Sequence, residues 1–201
     1  MKTVEFNKIM KGLNFPVRFI KKGRLAYTII EHETGSKILV GLYLDSSLEK
    51  DSFLVQYFVQ CLFVPFSTYN FSLGDRIGSY FSKREIELLN NELTKFRKFD
   101  SINSFDDFIP YLENSTYYGD NVGRTNYFAL TYFIQKDFDR ALLNFAEIIK
   151  LKSHSNPDWF KEDILNAEFI KSCIEENDYQ KGIKQILKWQ IDTMKSLKIS
   201  E

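Results

Sequence analysis

Apolar residues at Phe6, Ile9, Met10 and Leu13 recur at i, i+3, i+4 and i+7, so Thr3 to Leu13 predict a short amphipathic helix with Thr3 as its N-cap. Asn14-Phe15-Pro16 ends it, because the residue before a proline is pushed out of the helical region. The period then falls to two. Val17 and Phe19 alternate with Arg18, and Leu25, Tyr27 and Ile29 follow Lys22-Gly23. Ile38, Val40, Leu42 and Leu44 follow a turn at Glu33-Thr34-Gly35-Ser36, and Phe53 to Val64 make a long fourth run. Polar or Gly-bearing clusters between β-rich runs are hairpin signals, which predicts an antiparallel meander of about four strands. The last two runs are apolar on both faces, so helices are expected to cover at least one of them.

From Ser82 onward the pattern is helical. Ser82-Lys83-Arg84-Glu85 reads as a capping box ahead of the stripe Ile86, Leu89, Leu93 and Phe96. Ser104 caps a segment through Phe108 and Ile109, where Pro110 is expected to end or kink it. Ser115 to Arg124 read as a polar, Gly-punctuated loop, and Asn156-Pro157 as another helix start. A faint internal repeat lies in the last third: Asp137-Phe138-Asp139-Arg140-Ala141-Leu142 matches Asp178-Tyr179-Gln180-Lys181-Gly182-Ile183 in kind, and Phe145 answers Ile186. Each copy predicts a helical hairpin with an acidic cap, an aromatic next to it and a small residue at the helix contact. Its likeness to tetratricopeptide units is of local shape only, since a free-standing solenoid needs about three units or more.

The fold class expected is therefore α+β: an N-terminal helix, the meander, then about five to six helices including two helical hairpins. The boundary falls between residues 1–81, helix plus sheet, and residues 82–201, helices packed on the sheet as one domain.

Composition narrows the class. The 201 residues carry 27 Lys+Arg and 27 Asp+Glu, which is neither a disordered nor a nucleic-acid-coating balance. Cys61 and Cys173 stand far apart in apolar runs and read as buried thiols in a reducing, cytoplasmic setting. No apolar stretch approaches the length of a membrane span, and the first residues lack the apolar core of a signal peptide. The 19 Phe and 11 Tyr are assigned mostly to the core, since A/T-rich codons favour them together with Ile, Lys and Asn.

Few residues carry recognisable chemistry. His32 is flanked by Glu31 and Glu33, which alternation places on the opposite face, and His154 lies in a Ser-rich connection. The chain has no HExxH, no paired-cysteine motif, no GxSxG and no phosphate-cradling glycine loop. Asp106-Asp107 fits a helix start better than an acid/base pair. No catalytic set, metal site or cofactor is expected, and no nucleic-acid motif is found.

Charge placement and arginine usage change that picture. Residues 1–24 hold seven basic groups and only Glu5, whereas residues 100–147 hold eight acidic groups against Arg124, Lys136 and Arg140. Such segregation suits a charged partner or complementary faces of two copies. Arg76, beside Asp75 and between Gly74 and Gly78, and Arg124, just after Gly123, are expected in loops. With Tyr117, Tyr118 and Asp120 they would form a pocket rim suited to a carboxylate, a phosphate or an acidic side chain. The alternative is that Asp75 and Asp120 pair with the arginines and fasten the loops.

Tyr57-Phe58-Val59-Gln60-Cys61-Leu62-Phe63-Val64-Pro65, followed by Leu73-Gly74-Asp75-Arg76-Ile77, resembles a pattern in an uncharacterised bacterial α+β family. The resemblance covers about a tenth of the chain and implies no reaction. In general style the chain is also similar to the immunity proteins that neutralise polymorphic toxins. The expected function is a protein-binding module, non-enzymatic and in the manner of an immunity protein. The alternative is a binder of small anionic ligands, or a hydrolase, using the residues around Arg76 and Tyr117–Arg124.

Overall fold

A computed structural model of the chain describes residues 3–16, 18–47, 51–153 and 158–199. These divide into two compact units. The first comprises Met1–Glu31, Ile38–Gln60 and Asn70–Tyr118, and the second His32–Lys37, Cys61–Tyr69 and Gly119–Glu201. No helix among the described residues is long and apolar enough to cross a membrane.

The first unit opens with helix α1 (Thr3–Gly12), whose Phe6, Ile9 and Met10 are buried as the periodicity predicts. Strands β1 (Ile20–Lys22), β2 (Leu25–Glu31), β3 (Lys37–Ser46), β4 (Ser52–Cys61) and β5 (Gly74–Arg76) are neighbours in that order, and β6 (Phe81–Ser82) also pairs with β4. The β1–β2 hairpin turns at Gly23, whose φ of 63° at the first central position suits a tight turn with Gly there. Between β2 and β3, bonds His32 N–H to Ser36 O and Leu44 N–H to Arg24 O fix one antiparallel register. The meander is thus present, with two short strands added beyond the four expected.

Two details differ from the sequence pattern. Phe19 belongs to the core rather than to the first strand, stacking edge-on against Phe99 at 5.5 Å. Val17 lies outside the described residues. The fourth run ends as a strand at Cys61, and Leu62, Phe63 and Val64 are buried in the chain that follows. Both faces of β4 are covered, as its apolar character requires: Phe53 meets Phe6, Tyr57 meets Phe96 and Phe99, and on the other face Phe58 meets Phe71.

The capping turn at Ser82 forms, but as a lead-in to α2 (Ile86–Lys95) rather than its first turn. Ser82 N–H donates to Glu85 Oε2 at 2.7 Å, and these bonds hold the Glu85 carboxyl below its usual range. Ser104 and Asp107 form a complete capping box on a single 3-10 turn that runs into α3 (Phe108–Asn114). Asp107 accepts from the N–H groups of Asn103 and Ser104, which depress its pKa, so it is a cap rather than half of an acid/base pair. Pro110 neither ends nor kinks this segment. It sits in the first turn of α3, where no intrahelical N–H is needed.

The second unit holds α4 (Asn121–Ile134), α5 (Phe138–Lys150), α6 (Asp158–Glu175) and α7 (Tyr179–Leu197). Asn156-Pro157 and His154 lie outside the described residues. The internal repeat is borne out at the atomic level. Asp137 accepts from Arg140 N–H and Asp178 from Lys181 N–H, and each cap follows a left-handed residue, Lys136 at φ 62° and Asn177 at φ 57°. Asp137 N–H bonds Tyr132 O at 2.9 Å, and Asp178 N–H bonds Cys173 O at 2.8 Å. The two caps begin with Phe138 and Tyr179, whose rings meet at 5.9 Å and both pack on Phe133. Gly182 lets α7 approach that ring: a Cβ there would lie 2.4 Å from Phe133 Cζ.

Candidate functional site

Strand β5 exists because Gly74 has no side chain. A Cβ at that position would stand 2.1 Å from the Tyr57 carbonyl, so only glycine lets Gly74, Asp75 and Arg76 pair with Phe58, Tyr57 and Gln56. Asp75 and Arg76 therefore lie in a strand, not in a loop as their glycine-flanked context predicts, and alternation sends their side chains to opposite faces.

Asp75 accepts an ion pair from the Lys98 ammonium, which follows α2 in a 3-10 turn (Arg97–Asp100). Burial pulls the Lys98 pKa down, but the bond and charge of Asp75 outweigh it and hold the ammonium above its ordinary value. The turn is also tied through its backbone, since Tyr57 Oη donates to the Lys98 carbonyl at 3.1 Å. Burial, reinforced by the nearby Tyr111, raises the Tyr57 pKa far above the normal phenol range. Tyr111 is likewise raised by burial. Both are neutral phenols at any ordinary pH, and the Tyr57 hydroxyl serves as a hydrogen-bond donor.

Arg76 has a different position. Its side chain is exposed, its guanidinium sits 5.6 Å from the centre of the Tyr80 ring, and no described carboxylate pairs with it. Gln56, Tyr57, Phe71, Asp75, Arg76 and Tyr118 line a cavity of about 390 Å³, with Gly74 completing its wall. Tyr118 is 69% exposed, yet its backbone is fixed by Tyr118 N–H donating to Ser72 O at 2.7 Å. Tyr117 is half-buried and does not line this cavity. The cavity offers a planar cation, a phenol and an amide group beside a carboxylate already engaged by Lys98, a set suited to a carboxylate or phosphate.

The remaining predicted residues, Asp120 and Arg124, belong to the second unit. Asp120 is the N-cap of α4 and accepts from Gly123 N–H at 2.7 Å, so the loop reading of Arg124 is corrected: it lies in the first turn of α4. Its guanidinium stands 5.8 Å from the centre of the Phe128 ring. Asp120-Asn121-Val122-Gly123 carried the cap signal, but glycine and the preceding tyrosines masked it.

Two site residues escaped sequence reasoning. Tyr80 follows Gly78, whose φ of 62° turns the chain, and Lys98 lies 23 positions from the carboxylate it pairs with. Neither has a motif. Of the basic groups near the N-terminus, Arg18 is used internally: its guanidinium donates to Asn103 Oδ1 at 2.7 Å and to the Phe99 carbonyl. Lys21 donates to Leu13 O, and Arg24 stacks 4.0 Å from the Phe6 ring centre. Three of the acidic groups, Asp107, Asp120 and Asp137, are helix caps. At His32, Thr34 N–H approaches Nδ1 at 3.3 Å within the β2–β3 turn. No group of three metal-ligating side chains occurs among the described residues. No family model, curated protein or solved structure matches the chain.

Proposed function

We propose that this chain is a protein-binding module, acting in the manner of an immunity protein, and that its recognition surface is the patch formed by Arg76, Tyr80 and Tyr118. The observation that carries this reading is the state of Arg76, an exposed guanidinium supported by Tyr80 while its neighbour Asp75 is engaged by Lys98. Arginine and tyrosine are the residue types that dominate binding energy at protein interfaces, because each brings a large rigid surface with a polar tip. Tyr80 and Tyr118 are 51% and 69% exposed, and Tyr118 is held by its backbone, so ordering it costs little on binding. The guanidinium would engage a carboxylate of the partner.

The test is parallel capture from host lysate by the tagged chain and its Arg76→Ala and Tyr118→Ala variants. One stoichiometric protein, retained by the natural chain and lost from both variants at unchanged thermal stability, is the expected result. Equal capture by all three would remove the patch from the reading. The cavity of about 390 Å³ beside Arg76 supports a second reading, a small anionic ligand. That reading predicts a thermal shift with anionic metabolites that is lost in Arg76→Ala, with no protein recovered in the capture.

A further inference from the structure

Helix α7 places Trp189, Asp192, Thr193 and Ser196 at i, i+3, i+4 and i+7, which is one face of a helix. That face, Glu162 on α6 and the segment around Phe66 line an open cavity of about 400 Å³ in the second unit. Its wall is fixed. Phe66 N–H donates to Thr193 Oγ1 at 3.3 Å, the Thr193 hydroxyl donates to Val64 O at 3.2 Å, and the Phe66 ring packs at 6.3 Å on Tyr127.

The lining is chemically one-sided. It carries two carboxylates, Glu162 and Asp192, two aromatic side chains, Trp189 and Phe66, and no cationic side chain among the described residues. Lys195 reaches Asp192 only at 4.0 Å, the outer limit of an ion pair, with both side chains mostly exposed. Glu162 has no ion pair among the described residues. Beside it, burial first, then the Asp120 charge and more weakly that of Glu162, hold the Asp163 carboxyl up to about 6.

We propose that this cavity binds a small organic cation bearing an ammonium or guanidinium group, received by the Glu162 and Asp192 carboxylates and the Trp189 indole. The aromatic lining decides between kinds of cation. Calcium and magnesium require six or more oxygen ligands, whereas an organic cation gains from an indole through its π-system and from carboxylates through charge-assisted hydrogen bonds. This site is independent of the Arg76 patch.

Agmatine, which carries one ammonium and one guanidinium, is the probe, and the Trp159→Phe chain makes Trp189 the sole indole. A saturable change in Trp189 emission is expected with agmatine, and magnesium chloride at equal ionic strength should leave the emission unchanged. Glu162→Gln and Asp192→Asn should each raise the dissociation constant roughly three-fold, the scale of exposed charge pairs. Absence of saturable binding, an equal response to magnesium, or unchanged affinity in the double variant would overturn the proposal. Should Trp159→Phe fail to fold, calorimetric titration of agmatine into the natural chain and the Glu162→Gln, Asp192→Asn double variant decides the same question.

Discussion

The Asp75 carboxylate pairs with the Lys98 ammonium, 23 residues ahead in the chain, and not with its neighbour Arg76. Adjacent strand residues face opposite ways, so the pairing that proximity in sequence favours is unavailable in β5. The consequence is a division of labour: one cation fastens a turn to the sheet, and the other is left exposed.

Arg76→Ala is accordingly expected to leave stability within about 0.5 kcal/mol of the natural chain, because an exposed side chain without an ion pair supports little of the fold. Thermal unfolding checks this, and a large loss would return Arg76 to a structural role.

Lys98→Met is expected to lower stability by less than about 1 kcal/mol, or about 2–4 °C in Tm, since the paired side chains are partly exposed. The Tyr57 hydroxyl bonds the Lys98 carbonyl rather than its side chain, so that tie survives the substitution. The Tm difference between the two chains should shrink in high salt.

Gly182→Ala sets two effects against each other. Alanine is favoured over glycine in a helix interior by about 1 kcal/mol, but its methyl would collide with a ring that is wholly buried. Phe133 is hemmed in by Phe138 and Tyr179, so the ring cannot step aside and overpacking should win by about 1–3 kcal/mol. Chemical denaturation should therefore show a destabilised variant.

Asp163 gives a pH dependence of unusual sign for a carboxylate. Burial first, then the Asp120 charge, raises its folded pKa to about 6, while Asn126 Nδ2 donates to it at 2.9 Å and opposes the shift. The folded state thus binds more protons than the unfolded chain between the ordinary carboxylate pKa and about 6, so this group's contribution falls as pH rises through that window. Asp163→Asn removes the penalty and keeps an acceptor for Asn126. It should stabilise the protein by about 1–2 kcal/mol at pH 8, with the gain vanishing as pH falls to about 4.

Asp137→Ala and Asp178→Ala should each cost about 1 kcal/mol, because each leaves a helix N-terminal N–H without its acceptor. Urea unfolding of the two single variants provides the comparison.

What could be read from the sequence follows the range of the interaction. The Asp137 and Asp178 caps, the Gly23 turn and the α1 stripe involve residues within a few positions of one another, and periodicity or cap chemistry exposes them. Strands β5 and β6, three and two residues long, are too short for any alternation to register, and their existence depends on β4 as partner. Pro110 and Gly123 misled for a single reason: both are helix breakers in the interior and acceptable in a first turn, so their meaning depends on a boundary that composition does not mark. The candidate site was half legible. Arg76 and Tyr118 stood out as residue types, whereas Lys98 and Tyr80 enter it through tertiary pairing alone.

The sheet path closes on strands of three residues at each end, β1 and β5, and the outer β1 carries Lys21 and Lys22. So short an edge offers another chain only a bond or two of main-chain pairing, and lysines there must be desolvated before a strand can dock. Growth of the sheet into fibrils or strand-exchanged dimers is thereby discouraged. On the proposed reading, a partner is met by side chains such as Arg76 rather than by strand addition to β1 or β5, so its choice can change by point substitution without disturbing the hydrogen-bonded frame.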